Sequence, residues 1–271
     1  MRRVVVKLGT NVLMRADGKV ALGLLCGIVE QVAALRAQGV EVLLVSSGAV
    51  GLGAERLGLA ERPKRVAAVQ ACAAVGQSRL MALYEDAFDR MGCRIAQVLL
   101  TEDDFRDPVR HANLRAALEE LLQLGVIPIA NENDTVSTLE LERPVAGASP
   151  REKIFGDNDK LSALLLTHLD AEMLVLLSDV DGLYDRNPAE ADAVLLEELN
   201  AIDDAVLRLA SGSNGRGRGG MLSKLESAKL ALEAGKRVVI ANGRTPQVLE
   251  RILKGEAVGT RFLPMLAEAV R

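Results

Sequence analysis

The sequence predicts an α/β protein, a three-layer α/β/α sandwich around a mainly parallel central sheet. Two observations carry that expectation. Short, continuous apolar runs recur along the chain, as strands buried on both faces of a parallel sheet require. Stretches with helical apolar spacing separate them. The strand-like runs are "RRVVVKLG" (2–9), "VEVLLVSS" (40–47), "CRIAQVLLT" (93–101), "GVIPIAN" (125–131), "EMLVLLSD" (172–179), "KRVVIAN" (236–242) and a last, "VGTRF" (258–262). Between the first two, Leu25, Ile28, Val29, Val32 and Leu35 form one helical stripe, closed by Gly39. Leu80, Tyr84, Ala87 and Met91 make a second, Leu114, Leu118, Leu121 and Leu122 a third, and Met221, Leu225, Ala228 and Leu232 a fourth. The stretch "LELERPVAGASPREKIFG" (139–156) breaks the pattern and reads as an excursion or hairpin inserted into one domain spanning residues 1–271.

Composition narrows the function. At 49% hydrophobic residues the chain can bury a large core, and a net charge of −4 with only 2% aromatics argues against a nucleic-acid partner. Lys7 interrupts the first apolar run too early for a signal peptide, and no uncharged stretch approaches the ~20 residues that span a bilayer. Cys26, Cys72 and Cys93 lack metal-ligand spacing and read as buried, reduced thiols. A cytoplasmic protein without a membrane partner is expected.

The glycines of "GRGRGGMLSK" (215–224) fit G-x-G-x-x-G, but no strand precedes them and no acid follows at ribose-binding distance, so a dinucleotide site is rejected. No P-loop spacing occurs, "DVDGLYD" lacks the ligands of a calcium loop, and two histidines give no triad. What remains is chemistry that needs neither histidine nor cysteine. Phosphoryl transfer qualifies, since it rests on positioning and on positive charge around an anionic transition state.

In open α/β sheets ligands collect beyond the carboxyl ends of the strands. Here those ends carry Lys7-Leu8-Gly9-Thr10, Ser46-Ser47-Gly48, Asn131-Glu132-Asn133-Asp134 and Ser178-Asp179. Each has two readings. Lys7 either reaches toward anions or is a solvated strand-end lysine. Ser47-Gly48 offers amides and hydroxyls to an anion, or only caps a helix. Asp157 or Asn158 caps the helix of Leu161, or joins a site, and Asp179 belongs to an Asp-Gly turn or to a ligand. Gly219-Gly220 opens a helix from which Lys224 can reach phosphate oxygens. It is their joint occurrence that points to one polar site.

"VVVKLGTNVL", "VSSGAVGLG", "AAVGQSRLMALYEDAF", "NENDTVST", "FGDNDKLSA", "LSDVDGLY" and "GGMLSK" occur in this order. Together they resemble the glutamate 5-kinase branch of the amino acid kinase family over essentially the whole chain. The resemblance implies the amino acid kinase fold and ATP-dependent phosphorylation of the L-glutamate side chain, with Mg2+ held mainly by the phosphates and no protein metal site. It implies that Lys7 and Lys224 neutralise the transferring phosphoryl group and that Asp159 holds both lysines. Ser47, Asp134 and Asn158 would bind L-glutamate, with Asp157 close by. Ser178, Asp179 and the run Arg218, Gly219, Gly220, Met221, Leu222, Ser223, Lys224 would contact ATP, together with Lys7. L-Proline as feedback inhibitor and a homo-oligomer, dimer or tetramer, are further implications. Three departures stand out: Arg218 replaces the usual Thr, the excursion around Pro144 to Lys153 is longer than usual, and the chain ends at Arg271 without the PUA domain of many bacterial relatives. A sister kinase with another acceptor and a non-catalytic amino-acid sensor are the competing functions.

Overall fold

A computed structural model describes residues 2–59, 61, 63–137, 158–211 and 219–264. The excursion at 139–156, Asp157 and Arg218 lie outside them. Among the described residues the strands are β1 (Arg3–Leu8), β2 (Glu41–Ser46), β3 (Ile95–Leu100), β4 (Ile127–Glu132), β5 (Met173–Ser178), β6 (Glu198–Leu199), β7 (Arg237–Asn242) and β8 (Thr260–Phe262). They form one eight-stranded sheet in the order β3-β4-β2-β1-β5-β7-β8-β6. Every neighbouring pair is parallel except β7 with β8. The helices are α1 (Thr10–Leu13), α2 (Leu22–Ala37), α3 (Ala49–Arg56), α4 (Val66–Asp89), α5 (Asp103–Arg106), α6 (Pro108–Gln123), α7 (Asn158–His168), α8 (Asp204–Ser211), α9 (Gly219–Glu233) and α10 (Val248–Leu253).

The two faces of the sheet bury separate cores, and strand alternation decides which side chain enters which. Val4, Val6 and Leu8 of β1 pack on one face with side chains from α2, α3, α4 and α10. Val5 packs on the other, with side chains from α6, α7, α8 and α9. The sandwich expected from sequence is therefore present. Individual helices start and stop for visible reasons: Asp107 caps α6 through bonds from the Val109 and Arg110 amides, both 2.9 Å, ahead of Pro108.

Several details differ from the sequence reading. The first helical stripe is buried as expected, but Cys26 is exposed, because one residue beyond Leu25 the helix has turned about 100° away from the core. Cys72 and Cys93 are buried. Met91 lies past the end of α4 and is 42% exposed, and Phe88 fills the core position instead. Strand β3 is an edge strand with Gln97 and Leu99 exposed, so it is not buried on both faces. The two-residue β6 carries no sequence pattern of its own.

Helix α4 is by length and composition apolar enough to cross a membrane. In this fold it packs against α2, α3 and β3. Its crossing with α3 depends on glycine. A Cβ at Gly76 would sit 1.7 Å from the Ala49 carbonyl oxygen, and one at Gly53 would sit 1.8 Å from the Cys72 carbonyl oxygen. Both obstacles are backbone, so neither helix can yield without moving whole. Gly76→Ala is accordingly expected to destabilise the protein by roughly 3 kcal/mol, the upper range of overpacking, read from urea unfolding. A stability equal to the parent would mean that α3 and α4 do not cross this closely.

Candidate active site

Lys7 is an odd-numbered residue of β1, so it shares a face with Val5 and enters the side covered by α7 and α9. Those two helices supply its neighbours. Asp159, in the first turn of α7, pairs ionically with Lys7, Oδ1 lying 2.5 Å from Lys7 Nζ, and its Oδ2 accepts from Lys224 Nζ at 3.2 Å. Lys224, in α9, also donates to the Gly220 carbonyl at 2.9 Å. The three residues are 5%, 1% and 7% exposed, in chain order Lys7, Asp159, Lys224. One carboxylate between two buried ammonium groups leaves a net positive charge, which a phosphate would satisfy. Two glycines border the amines: a Cβ at Gly9 would lie 3.9 Å from Lys7 Nζ and one at Gly220 3.7 Å from Lys224 Nζ, both ordinary contact distances. Lys7 is thus no solvated strand-end residue.

Beside this bridge opens a cavity of about 790 Å³, lined among others by Thr10, Ser47, Gly48, Asn131, Asp134 and Asn158. Gly48 has φ +103, a left-handed conformation that only glycine adopts without strain, and it turns the chain from β2 into α3. Asn158 is the first residue of α7, yet its side chain leaves the helix. Its Nδ2 donates to the Ser46 carbonyl (3.1 Å), to Ser47 Oγ (3.0 Å) and to Asn131 Oδ1 (2.8 Å). Simple helix capping does not account for it. Ser46 turns to the opposite face from Lys7 and shares a hydrogen bond of 2.9 Å with Tyr84 of α4. Burial pushes the Tyr84 phenol up to about 12, against the smaller opposing pull of Ser46, so this support stays neutral at any working pH.

On the other side of β1, the Gly9 amide donates to Leu177 O, which brings the end of β5 beside the turn into α1. There Ser178 is buried and donates to Asp179 Oδ1 at 3.2 Å, while Asn11 donates to Asp179 Oδ2 at 3.0 Å. Met221 and Leu222 pack against the core on the α7 and α9 face. Gly220 is exposed and Ser223 half-buried. The sequence-predicted residues fall into two groups around Lys7: Ser47, Asp134 and Asn158 on the cavity, Ser178 and Asp179 at the end of β5.

Some residues of the site escaped sequence reading. Asn131 was visible only as a strand end, and Asn11 as part of a motif. Gln77 of α4, which accepts from Asn131 Nδ2 at 2.8 Å, had no local signal beyond lying inside "AAVGQSRLM". Met14, Asp17 and Glu55 line the cavity without any pattern that singles them out. Breaking the central bridge has a calculable cost. Asp159→Asn leaves two buried ammonium groups without their counterion and is expected to lower stability by about 3–5 kcal/mol. Lys224→Met, which leaves the Lys7 pair, should cost less. Urea unfolding of the two variants checks the order, and a reversed order would contradict the bridging role.

Comparison with known proteins identifies the family and the fold. Residues 2–242 match the model of the amino acid kinase family. A glutamate 5-kinase from Gloeobacter violaceus is 50% identical over 97% of this chain and 68% of its own length. One from Lactiplantibacillus plantarum is 43% identical over 96% of both chains. The fold is similar to that of a carbamate kinase from Giardia lamblia bound to AMP-PNP, with TM-score 0.65 and 19% identity over 97% of this chain and 98% of the other. It is similar too to a T. acidophilum isopentenyl phosphate kinase, with TM-score 0.62 and 18% identity over 97% of this chain and all of the other. With a family match over most of its length and relatives this close, the chain belongs to the amino acid kinase family.

Proposed function

We propose that this protein transfers the γ-phosphate of ATP to the side-chain carboxylate of L-glutamate, giving L-glutamyl 5-phosphate and ADP, the first step toward proline. The observation that carries the reading is the buried bridge of Lys7, Asp159 and Lys224 beside a cavity lined by Ser47, Asp134 and Asn158. Relatives named glutamate 5-kinase that match nearly the whole chain support the choice of acceptor.

A side-chain carboxylate with a pKa of about 4.3 is already an ionised nucleophile at neutral pH, so no general base is required. Its oxygen forms the new bond to the γ-phosphorus as the bond to the ADP oxygen breaks, and no proton changes hands. The barrier is repulsion between two anions. Lys7 and Lys224 offset it from within a poorly hydrated site, where their charge counts most, and Asp159 keeps the two amines together before the nucleotide arrives. Asp134 is the natural acceptor for the α-ammonium, and Ser47 and Asn158 hold the amino acid from the β2 side, with Asp157 close by. Ser178, Asp179 and the segment from Arg218 through Gly219, Gly220, Met221, Leu222 and Ser223 to Lys224 serve the nucleotide.

Mg2+ would supply further charge neutralisation of the polyphosphate. The phosphates themselves would carry most of its coordination. The chain acts as a single kinase domain, as its unbroken sheet from Arg3 to Phe262 supports. L-Proline, another small α-amino acid, competes for the same cavity. The protein works in the cytoplasm as a homo-oligomer, dimer or tetramer. Support for assembly comes from α4, where only 28% of the most apolar stretch is buried, and from Leu99 on the open edge of the sheet.

An ADP-release assay across a panel of acceptor acids tests the reading. Turnover is expected with L-glutamate and not with acetylglutamate or isoprenoid phosphates. Lys224→Ala should lower it by at least about 100-fold, the scale of losing one preorganised charge in a transition state, while the fold stays intact. Equal turnover on another acceptor with none on glutamate would overturn the assignment, and binding of glutamate without binding of ATP would point to a sensor instead.

A further inference from the structure

Helix α4 reaches the cavity only through other side chains, and one of its contacts has directional consequences. Gln77 is buried, and its Oε1 accepts from Asn131 Nδ2 at 2.8 Å. Asn131 Oδ1 in turn accepts from the Glu132 amide at 2.9 Å and from Asn158 Nδ2 at 2.8 Å. Three amide side chains from α4, β4 and α7 thus form one chain of hydrogen bonds.

Backbone groups fix the direction of this chain at both ends. An N–H can only donate, so the Glu132 amide requires that Asn131 present its oxygen there and its nitrogen to Gln77. A carbonyl can only accept, so Ser46 O requires that Asn158 present its nitrogen. Gln77 must therefore offer oxygen, and among the described residues its buried Nε2 has no partner. At the far end Asn158 Nδ2 has two hydrogens for three acceptors: Ser46 O, Asn131 Oδ1 and Ser47 Oγ. Of these only a hydroxyl can rotate, so Ser47, on the cavity wall, is free to donate its proton inward.

We propose that Gln77 is a positioning residue for the acceptor amino acid: through Asn131 it locks the Asn158 amide in one orientation and leaves the Ser47 hydroxyl as a donor toward the substrate carboxylate. The inference rests on the kinase reading above. It concerns acceptor binding alone, because the chain of amides ends on the cavity side of β1 and touches neither lysine.

Gln77→Met keeps the volume and removes the acceptor. It is expected to raise KM for L-glutamate about tenfold, the scale of one lost hydrogen bond between positioned groups, while KM for ATP stays within about twofold. A merely structural role would move both constants together or neither. Gln77→Glu restores an oxygen where Asn131 needs one and gives up only a nitrogen with no partner among the described residues, so at mildly acidic pH, where burial favours the neutral acid, it should keep KM for glutamate near the parent value. This second variant decides the matter if the methionine variant does not fold. A folded Gln77→Met protein with unchanged KM for glutamate, or a folded Gln77→Glu protein with KM raised tenfold, would overturn the positioning role. A parent protein without glutamate-dependent turnover would overturn the kinase reading and this inference together, whereas an active parent with an indifferent Gln77 overturns the inference alone.

Discussion

The Asp159 carboxylate, held between the amines of Lys7 and Lys224 where water hardly reaches, constrains the rest of the architecture. An unpaired ammonium cannot be buried cheaply, and two close together repel. Both become tolerable only if an acid lies between them, which fixes the start of α7 relative to the end of β1 and the first turns of α9. Strand alternation does the first part, sending Lys7 to the α7 and α9 face while Leu8 enters the other core. The bond from Lys224 Nζ to the Gly220 carbonyl does the second, holding that amine at the first turn of α9.

The opposite face of the sheet has a different task. Ser46 and Asn131 turn toward α4, where Tyr84 and Gln77, one pair of helical turns apart, receive them. These contacts are neutral and directional. They hold the walls of the cavity, whereas the ionic bridge supplies charge. The close crossing of α3 and α4 at Gly53 and Gly76 ties the two together, because α3 begins at the Gly48 turn on the cavity wall.

Much of this was legible in the sequence. The seven strand-like runs became β1 to β5, β7 and β8, most of them because a parallel sheet buried between helices demands continuous apolar sequence. Lys7 was ambiguous alone, and its convergence with Asp159 and Lys224 needed the resemblance, because pairing over 65 or more residues leaves no local trace. Burial phase was less legible at helix ends: Cys26 and Met91 lie one step off a stripe or one turn past it. Apolar content could not reveal that β3 is an edge, since strand order is a property of the assembled sheet. Gln77 stayed hidden for a physical reason, as a polar residue on an apolar helix face carries no mark of what it bonds.

The most direct test of the central claim is a crystal structure with MgADP, aluminium fluoride and L-glutamate bound together. The account predicts both lysine amines within about 3 Å of the fluorides that mimic the transferring phosphoryl oxygens, with Asp159 still between them and the glutamate side chain in line from the Ser47 side. A fully assembled complex in which either amine points away from that group would contradict it.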